Sequence, residues 1–230
     1  MRRGARILGT LMIIAGAGAL AWSLVVWQWE DPFTAVLNEL DQRELAQEFS
    51  RRVDEGGGVL ATTPKDDLSA ALSRAAAAWR NRSARGDAVA RLRIPALGVE
   101  EIVVNGTDSA TLKRGPGRYL GSAMPGEGQL VYVAGHRTTY GAPFSRIDHL
   151  RKGDRVVVEL PYATFQYRVT GHRIVPASQT SALESKGYEQ LALQACHPRF
   201  FASHRYIAYA TPVSITPRGS DRATPIAALG

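Results

Sequence analysis

The sequence predicts a mostly β domain, a barrel or sandwich of about eight short strands with short helices, preceded by a transmembrane helix and a helical stalk. Three observations lead there. From Ala88 onward, short β-type runs are punctuated by glycine and proline. An uncharged stretch from Ile7 to Trp27 opens the chain. The only cysteine, Cys196, closes an apolar run, Leu191–Ala195, and His197-Pro198 follows it. Pro198 has no backbone N–H to continue a ladder, so the thiol should stand at a strand end, where side chains meet solvent.

Taken in order, Arg2, Arg3 and Arg6 precede the uncharged run, which is long enough to cross a bilayer as a helix. Trp22, Trp27 and Trp29 resemble an interfacial belt, and Glu30 and Asp31 follow. This charge asymmetry predicts a single-pass anchor over residues 1–30, with the N-terminus cytoplasmic and the rest extracytoplasmic. Ala15-Gly16-Ala17 resembles a signal-peptide cleavage site, but the apolar run continues well past it, so an uncleaved anchor is expected.

Residues 31–88 read as a helical stalk. Leu37, Leu40, Leu45, Phe49 and Val53 form a partial helical stripe among charges, and Gly56-Gly57-Gly58 interrupts it. A second stripe, Leu68, Leu72, Ala75 and Trp79, has Asp66 and Asp67 near its N-terminus. The expected role is a spacer; a stripe that packs on the domain and regulates it is the alternative. Residues 89–217 carry the strands: Val89–Ile94, Glu101–Val104, Gln129–Ala134, Asp154–Leu160, Thr164–Val175, Leu191–Ala195 and Arg205–Val213. Residues 218–230, polar with Pro and Gly, read as a disordered tail.

The 230 residues carry a net charge of +7. Such a balance suits an anionic surface or nucleic acid, but no zinc-finger spacing, RNA-binding aromatic signature or recognition helix accompanies it, so no nucleic-acid partner is expected. No P-loop, dinucleotide fingerprint or metal-ligand spacing is present, so neither cofactor nor metal is expected.

A lone cysteine is often a small buried hydrophobe. Outside a membrane, however, cysteines tend to pair, and an unpaired thiol there is buried, intermolecular or catalytic. Leu130–Phe144 adds a second clue: an apolar strand ends at Gly135 and presents His136 at its tip. Histidine titrates near neutrality and can serve a thiol as acid or base. Arg205 opens the strand after Cys196, so a connection between the two strands would bring thiol and guanidinium to one sheet edge. Together the three residues could run acyl transfer: a thiolate attacks a carbonyl, the histidine protonates the leaving amine, and the guanidinium holds the developing oxyanion. His149 and His172 read as surface decoration, and His197 and His204 flank the Cys–Arg loop.

These segments resemble the sortases, membrane-anchored cysteine transpeptidases of Gram-positive bacteria. The likeness runs through LRIPALGV (92–99), GTD (106–108), GPGRY (115–119), PGEG (125–128), AGHRTTYGAPF (134–144), GD (153–154) and the Cys196/Arg205 segment. HRTTYGAPF and CHP look most like the class E sortases of actinobacteria. The resemblance implies a closed eight-stranded sortase-like β-barrel with a groove near the thiol, Cys196 as nucleophile, His136 as acid/base, and Arg205 as oxyanion or substrate-positioning group. It implies cleavage of an LAxTG-type sorting signal between Thr and Gly, then transfer of the secreted protein to a peptidoglycan-precursor amine. Tyr140 matches a tyrosine linked to that signal preference, and Thr139 and Ala195 join it as expected substrate contacts. Where the family often carries TLxTC, this chain has Ala192-Leu-Gln-Ala-Cys196. The loop Pro176–Glu189 corresponds to one that shapes substrate choice. Competing readings are a pilin-polymerising sortase with a lysine acceptor, an LPxTG preference, a hydrolase that resolves the same acyl-enzyme with water, and a non-catalytic wall-associated binding module.

Overall fold

The computed structural model describes residues 2–28, 32–56, 60 and 62–228. Two strands, β6 (Ala163–Pro176) and β8 (His204–Pro217), run fourteen residues each and pair antiparallel from Ala163↔Pro217 to Pro176↔His204. Their pairing closes a barrel. Between them the order runs β5 (Arg155–Glu159), β1 (Ala88–Ile94), β2 (Val99–Asn105), β3 (Gly117–Arg118), β4 (Leu130–Ala134) and β7 (Gln190–His197). Eight strands therefore form the closed barrel, and a two-residue β9 (Thr224–Pro225) adds to β8 beyond the end of β7.

Alternation decides what the barrel encloses. Leu92 and Ile94 of β1, Val156 and Val158 of β5, Phe165 and Tyr167 of β6, and Leu191, Leu193 and Ala195 of β7 point into one buried cluster. On the opposite face of the same sheet, Tyr132, Ala134, Val175, Ala192 and Ile207 form a second cluster outside the barrel. The seam at β3 is tight: a Cβ on Gly117 would collide with the carbonyl oxygen of Gly106, so only glycine permits this approach of β3 to β2.

The segment expected to be a spacer is part of the folded unit. Helix α3 (Lys65–Arg82) buries Leu68, Leu72, Ala76 and Trp79 in the main cluster. Trp79 donates its indole N–H to the Val89 carbonyl at 3.0 Å, and the guanidiniums of Arg52 and Arg82 lie over its ring at 4.7 and 4.8 Å. Helix α2 (Pro32–Gly56) docks Leu45 and Phe49 against Ala88, Ile102 and Val104. The predicted stripe holds for that half only, because Leu37 and Leu40 are exposed. In the other half the docked face is polar. Gln42 accepts from the Ile102 N–H at 2.6 Å and donates to the Arg114 carbonyl at 2.7 Å, satisfying an otherwise open edge of β2. An apolar-stripe reading passes over such a residue.

The tail also differs from the expectation of disorder over 218–230. Arg218 donates its N–H to Tyr162, β9 pairs with Ser214 and Ile215, and Ile226 packs on the main cluster. Residues 229–230 lie outside the described part, as do Gly57, Gly58, Trp29, Glu30 and Asp31. Helix α1 (Arg2–Gln28) is the one helix among the described residues long and apolar enough to cross a membrane, through Arg6–Leu24.

Docking of α3 has a measurable consequence. Trp79→Ala in the full chain is expected to lower stability by about 3–5 kcal/mol, read as a lower denaturant midpoint with unchanged slope. A shift below about 0.5 kcal/mol, the behaviour of an exposed spacer residue, would contradict it.

Candidate active site

The antiparallel register of β7 and β8 sets Cys196 directly opposite Arg205, and His197 opposite His204. On its other side β7 runs parallel to β4, from Leu130↔Gln190 to Ala134↔Gln194. The ladder extends one step further, as the Gly135 N–H bonds the Gln194 carbonyl at 2.9 Å. The next residue on the β4 side is His136. Three side chains separated by up to 69 positions thus meet at one sheet end, because β7 is flanked by β4 and β8.

Cys196, His136 and Arg205 all line a groove of about 320 Å³ on the outside of the barrel. Its floor is the outer cluster of Tyr132, Ala134, Val175 and Ile207. Leu112, Tyr119, and Ala182 and Leu183 of the loop before β7 pack on that cluster and line the groove as well. A larger cavity of about 380 Å³ lies between α2 and β2, but in its lining Arg43 pairs with Glu39 and Arg91 with Glu100, and it holds no nucleophile. Among the described residues, none of 60–88 lines the groove.

Helix α4 (Ser109–Arg114) supplies two of the site's surroundings, Leu112 and Lys113. Asp108 caps it, accepting from the Thr111 N–H at 3.1 Å, the Thr111 hydroxyl at 2.8 Å and Arg85 at 2.9 Å. Those bonds hold its carboxyl well below the usual carboxylate range. The Gly-Thr-Asp triplet is therefore a helix start, and the helix it starts carries Lys113, whose ammonium acts on the histidine.

The Nε2 of His136 is buried and has no hydrogen-bond partner. Burial first, and the Lys113 ammonium second, hold the imidazole below its ordinary pKa, so it is neutral at pH 7 and free to take a proton. The Tyr140 ring lies 5.1 Å from it, and Lys113 Nζ lies 5.6 Å from the Tyr140 ring. Arg205 donates from Nη1 to the carbonyls of Ala202 (2.7 Å) and His204 (3.0 Å), which ties it to its own loop and leaves Nε–H and Nη2–H for a ligand.

Of the expected substrate contacts, Ala195 is not one by its side chain. It is fully buried on the inner face of β7 with Leu191 and Leu193, because alternate residues of a strand face opposite ways and Cys196 faces out. A threonine hydroxyl there would point into the apolar core. Thr139 and Tyr140 belong to the loop behind His136 and stand outside the groove lining. That loop turns through three successive left-handed residues, Tyr140, Gly141 and Ala142. It is braced by α2: the Thr34 hydroxyl accepts from the Tyr140 N–H at 2.9 Å, and a Cβ on Gly141 would strike the amide of buried Asn38.

Two further residues were not legible in the sequence. Arg137 is buried and pairs with Asp148 at 2.7 Å. Its Nη1 reaches the Cys196 carbonyl at 3.4 Å and the His197 Nδ1 at 3.0 Å. It thereby fastens the residue after His136 to the residues at and after the thiol. Its adjacency to His136 was the available signal; nothing in spacing marked Asp148.

A solitary thiol, an unpartnered imidazole and a guanidinium around one groove are the equipment of the cysteine acyl-transfer class of enzymes. The chain belongs to the sortase family: the family model for the sortase domain matches residues 92–213. It is similar to sortase D of Bacillus subtilis (strain 168), 35% identical over 133 residues that cover 56% of this chain and 66% of that protein. It is similar also to sortase SrtE1 of Streptomyces coelicolor, 31% identical over 155 residues covering 60% of this chain and 44% of that protein. The chain thus spans 66% and 44% of the lengths of these relatives. Among solved structures, sortase E from Streptomyces avermitilis aligns with a TM-score of 0.54 and 34% identity, over 64% of this chain and 99% of that one. Sortase E1 from Streptomyces coelicolor, solved with a tripeptide in its active site, gives 0.56 and 29%, over 61% and 96%.

Two outcomes test the geometry. Lys113→Met removes a like charge, so the His136 pKa should rise, as read by an NMR titration of its ring. Folded His136 binds its proton at lower pH than the unfolded chain does, so stability falls as pH drops below about 6.5; Lys113→Met should lessen that fall. Arg137→Gln should lower turnover roughly 10–100-fold, the cost of a misplaced reacting group, with the fold retained by circular dichroism.

Proposed function

We propose that this chain is a membrane-anchored transpeptidase. It would cleave an LAxTG-type sorting signal between Thr and Gly and pass the secreted protein to an amine of a peptidoglycan precursor. The observation that carries the reading is the shared groove of Cys196, His136 and Arg205, with His136 Nε2 buried and unpartnered. The Cys196 Sγ attacks the threonine carbonyl carbon, and its proton passes to the neutral His136. The oxyanion is held by the free N–H groups of Arg205. The C–N bond breaks, and His136 returns the proton to the leaving glycine amine. A thioester on Cys196 remains, which the acceptor amine opens, restoring the thiol. Water in place of the amine gives hydrolysis.

The class E preference is supported by the 34% identity to the Streptomyces avermitilis enzyme and by the HRTTYGAPF stretch. Tyr140 would act on the signal through His136, against whose ring it packs. A second reading, a sortase D-like enzyme with another signal preference, is favoured by the 35% identity to the Bacillus subtilis protein. The anchor is α1, with arginines before the span, so the catalytic domain faces outward.

Full-length enzyme would be offered an LAxTG or an LPxTG peptide with an amine, and the products read by mass. Ligation at Thr that favours LAxTG is expected. Preference for LPxTG would replace the class E reading, absence of product with both peptides would favour the reading with another signal preference, and product formed without the thiol would remove Cys196 as nucleophile. Cys196→Ala should abolish turnover, and His136→Ala or Arg205→Ala should cost on the order of 10²–10³-fold.

A further inference from the structure

Helix α2 has two unlike faces. At about 3.6 residues per turn, Thr34, Asn38, Gln42, Leu45 and Phe49 share the side docked on the barrel. The opposite side begins with Val36, Leu37 and Leu40, exposed at 60%, 61% and 57%. Further along that outward side come Arg43, Glu44, Gln47, Arg51 and Asp54, none of them apolar. The outward face is thus apolar at the N-terminal end and charged beyond it.

The gradient has a direction, because α2 begins close to a candidate membrane span. Only residues 29–31 separate Gln28 of α1 from Pro32 of α2. At about 3.8 Å per residue step, that link holds the start of α2 within roughly 15 Å of the end of α1. A bilayer's polar interfacial layer adds only about 5–7 Å on each side of its hydrocarbon core. Apolar side chains exposed within reach of that layer, giving way to charge as the helix leads away from it, match a helix whose first turns dip into the interface and whose later turns stand in water.

We propose that Val36, Leu37 and Leu40 seat the first turns of α2 in the interfacial layer of the lipid bilayer. This rests on the reading of α1 as a membrane span. The same turns carry Thr34 and Asn38, which brace the loop behind His136. Lipid contact on one face of α2 and loop contact on the other therefore set the height and tilt of the catalytic groove above the membrane. The reason to prefer lipid over a protein partner is the coincidence of the apolar limit with distance from the span.

The test uses the full chain in a Cys196→Ser background, which removes the lone thiol. Single cysteines at Leu37→Cys, Leu40→Cys, Gln47→Cys and Ile13→Cys carry an environment-sensitive fluorophore. Each protein is reconstituted into vesicles of phosphatidylcholine and phosphatidylglycerol containing lipids with a spin-label quencher at shallow or deep positions. Labels at 37 and 40 should lose most of their fluorescence to the shallow quencher, the label at 47 little, and the label at 13 most to the deep quencher. Quenching at 13 without quenching at 37 and 40 would overturn the inference while the anchor stands. No quenching at 13 would remove the anchor reading and this inference with it. Labels at 37 and 40 that are shielded from water but unquenched by lipid, in proportion to protein density, would assign the face to a second copy and overturn the lipid contact.

Discussion

Pairing of Cys196 with Arg205 across β7 and β8 is the constraint on which the site depends. A strand end is free to fray unless both its edges are held. Here β8 holds one edge of β7 and β4 the other, up to Gly135 and Gln194. A slip of one residue on β7 would turn the thiol into the barrel and bring Ala195 out. That slip is opposed by Leu191, Leu193 and Ala195 filling the interior, and by Ala192 on the outer cluster. The core therefore aims the thiol as well as stabilising the domain.

Around that strand end the fold uses buried polar groups as fasteners. Arg118, almost wholly buried, donates to Asn105 Oδ1 at 2.9 Å and to the Ser122 carbonyl. Burial, then the nearby Arg80, push its pKa down to about 10, still high enough to keep the charge. Asn105 in turn donates to the carbonyls of Ser83 and Ala84, tying the end of α3 to β2. Arg137 does the same between the histidine loop and the cysteine strand. Leaving any of these donors unmet inside the protein would cost free energy, so each has one strongly preferred position for its partner. Glu189 follows the same logic before β7. It accepts from Tyr167 and from the Gly126 N–H, and burial raises its pKa despite those bonds.

Much of the barrel was legible in the chain. Six of the seven predicted strand runs begin and end within two residues of an observed strand, because period-two alternation and Gly/Pro punctuation are local properties; the seventh, Arg205–Val213, stops four residues short of the end of β8. The two-residue strands β3 and β9 were not, since they exist only through their partners. The helices were half legible. Leu68, Leu72 and Trp79 marked the buried face of α3, but the spacer reading missed that this face joins the barrel core. On α2 the apolar residues Leu37 and Leu40 misled, because the docked face there is made of Thr34, Asn38 and Gln42.

Sequence by itself determined the strand runs, the apolar stretch at the N-terminus, and the residue types at the site: one thiol, a histidine at a strand tip, an arginine opening the next strand. Those follow from local chemistry, which neighbours along the chain suffice to express. Tertiary structure alone decided that β4 lies beside β7 and brings His136 to Cys196, that Ala195 faces inward, that Arg137 reaches Asp148 and the cysteine strand, and that α2 braces the histidine loop. Each of those depends on closing a barrel between segments far apart in sequence. Closure is fixed by the summed packing of two faces of one sheet, a quantity no single stretch of the chain contains.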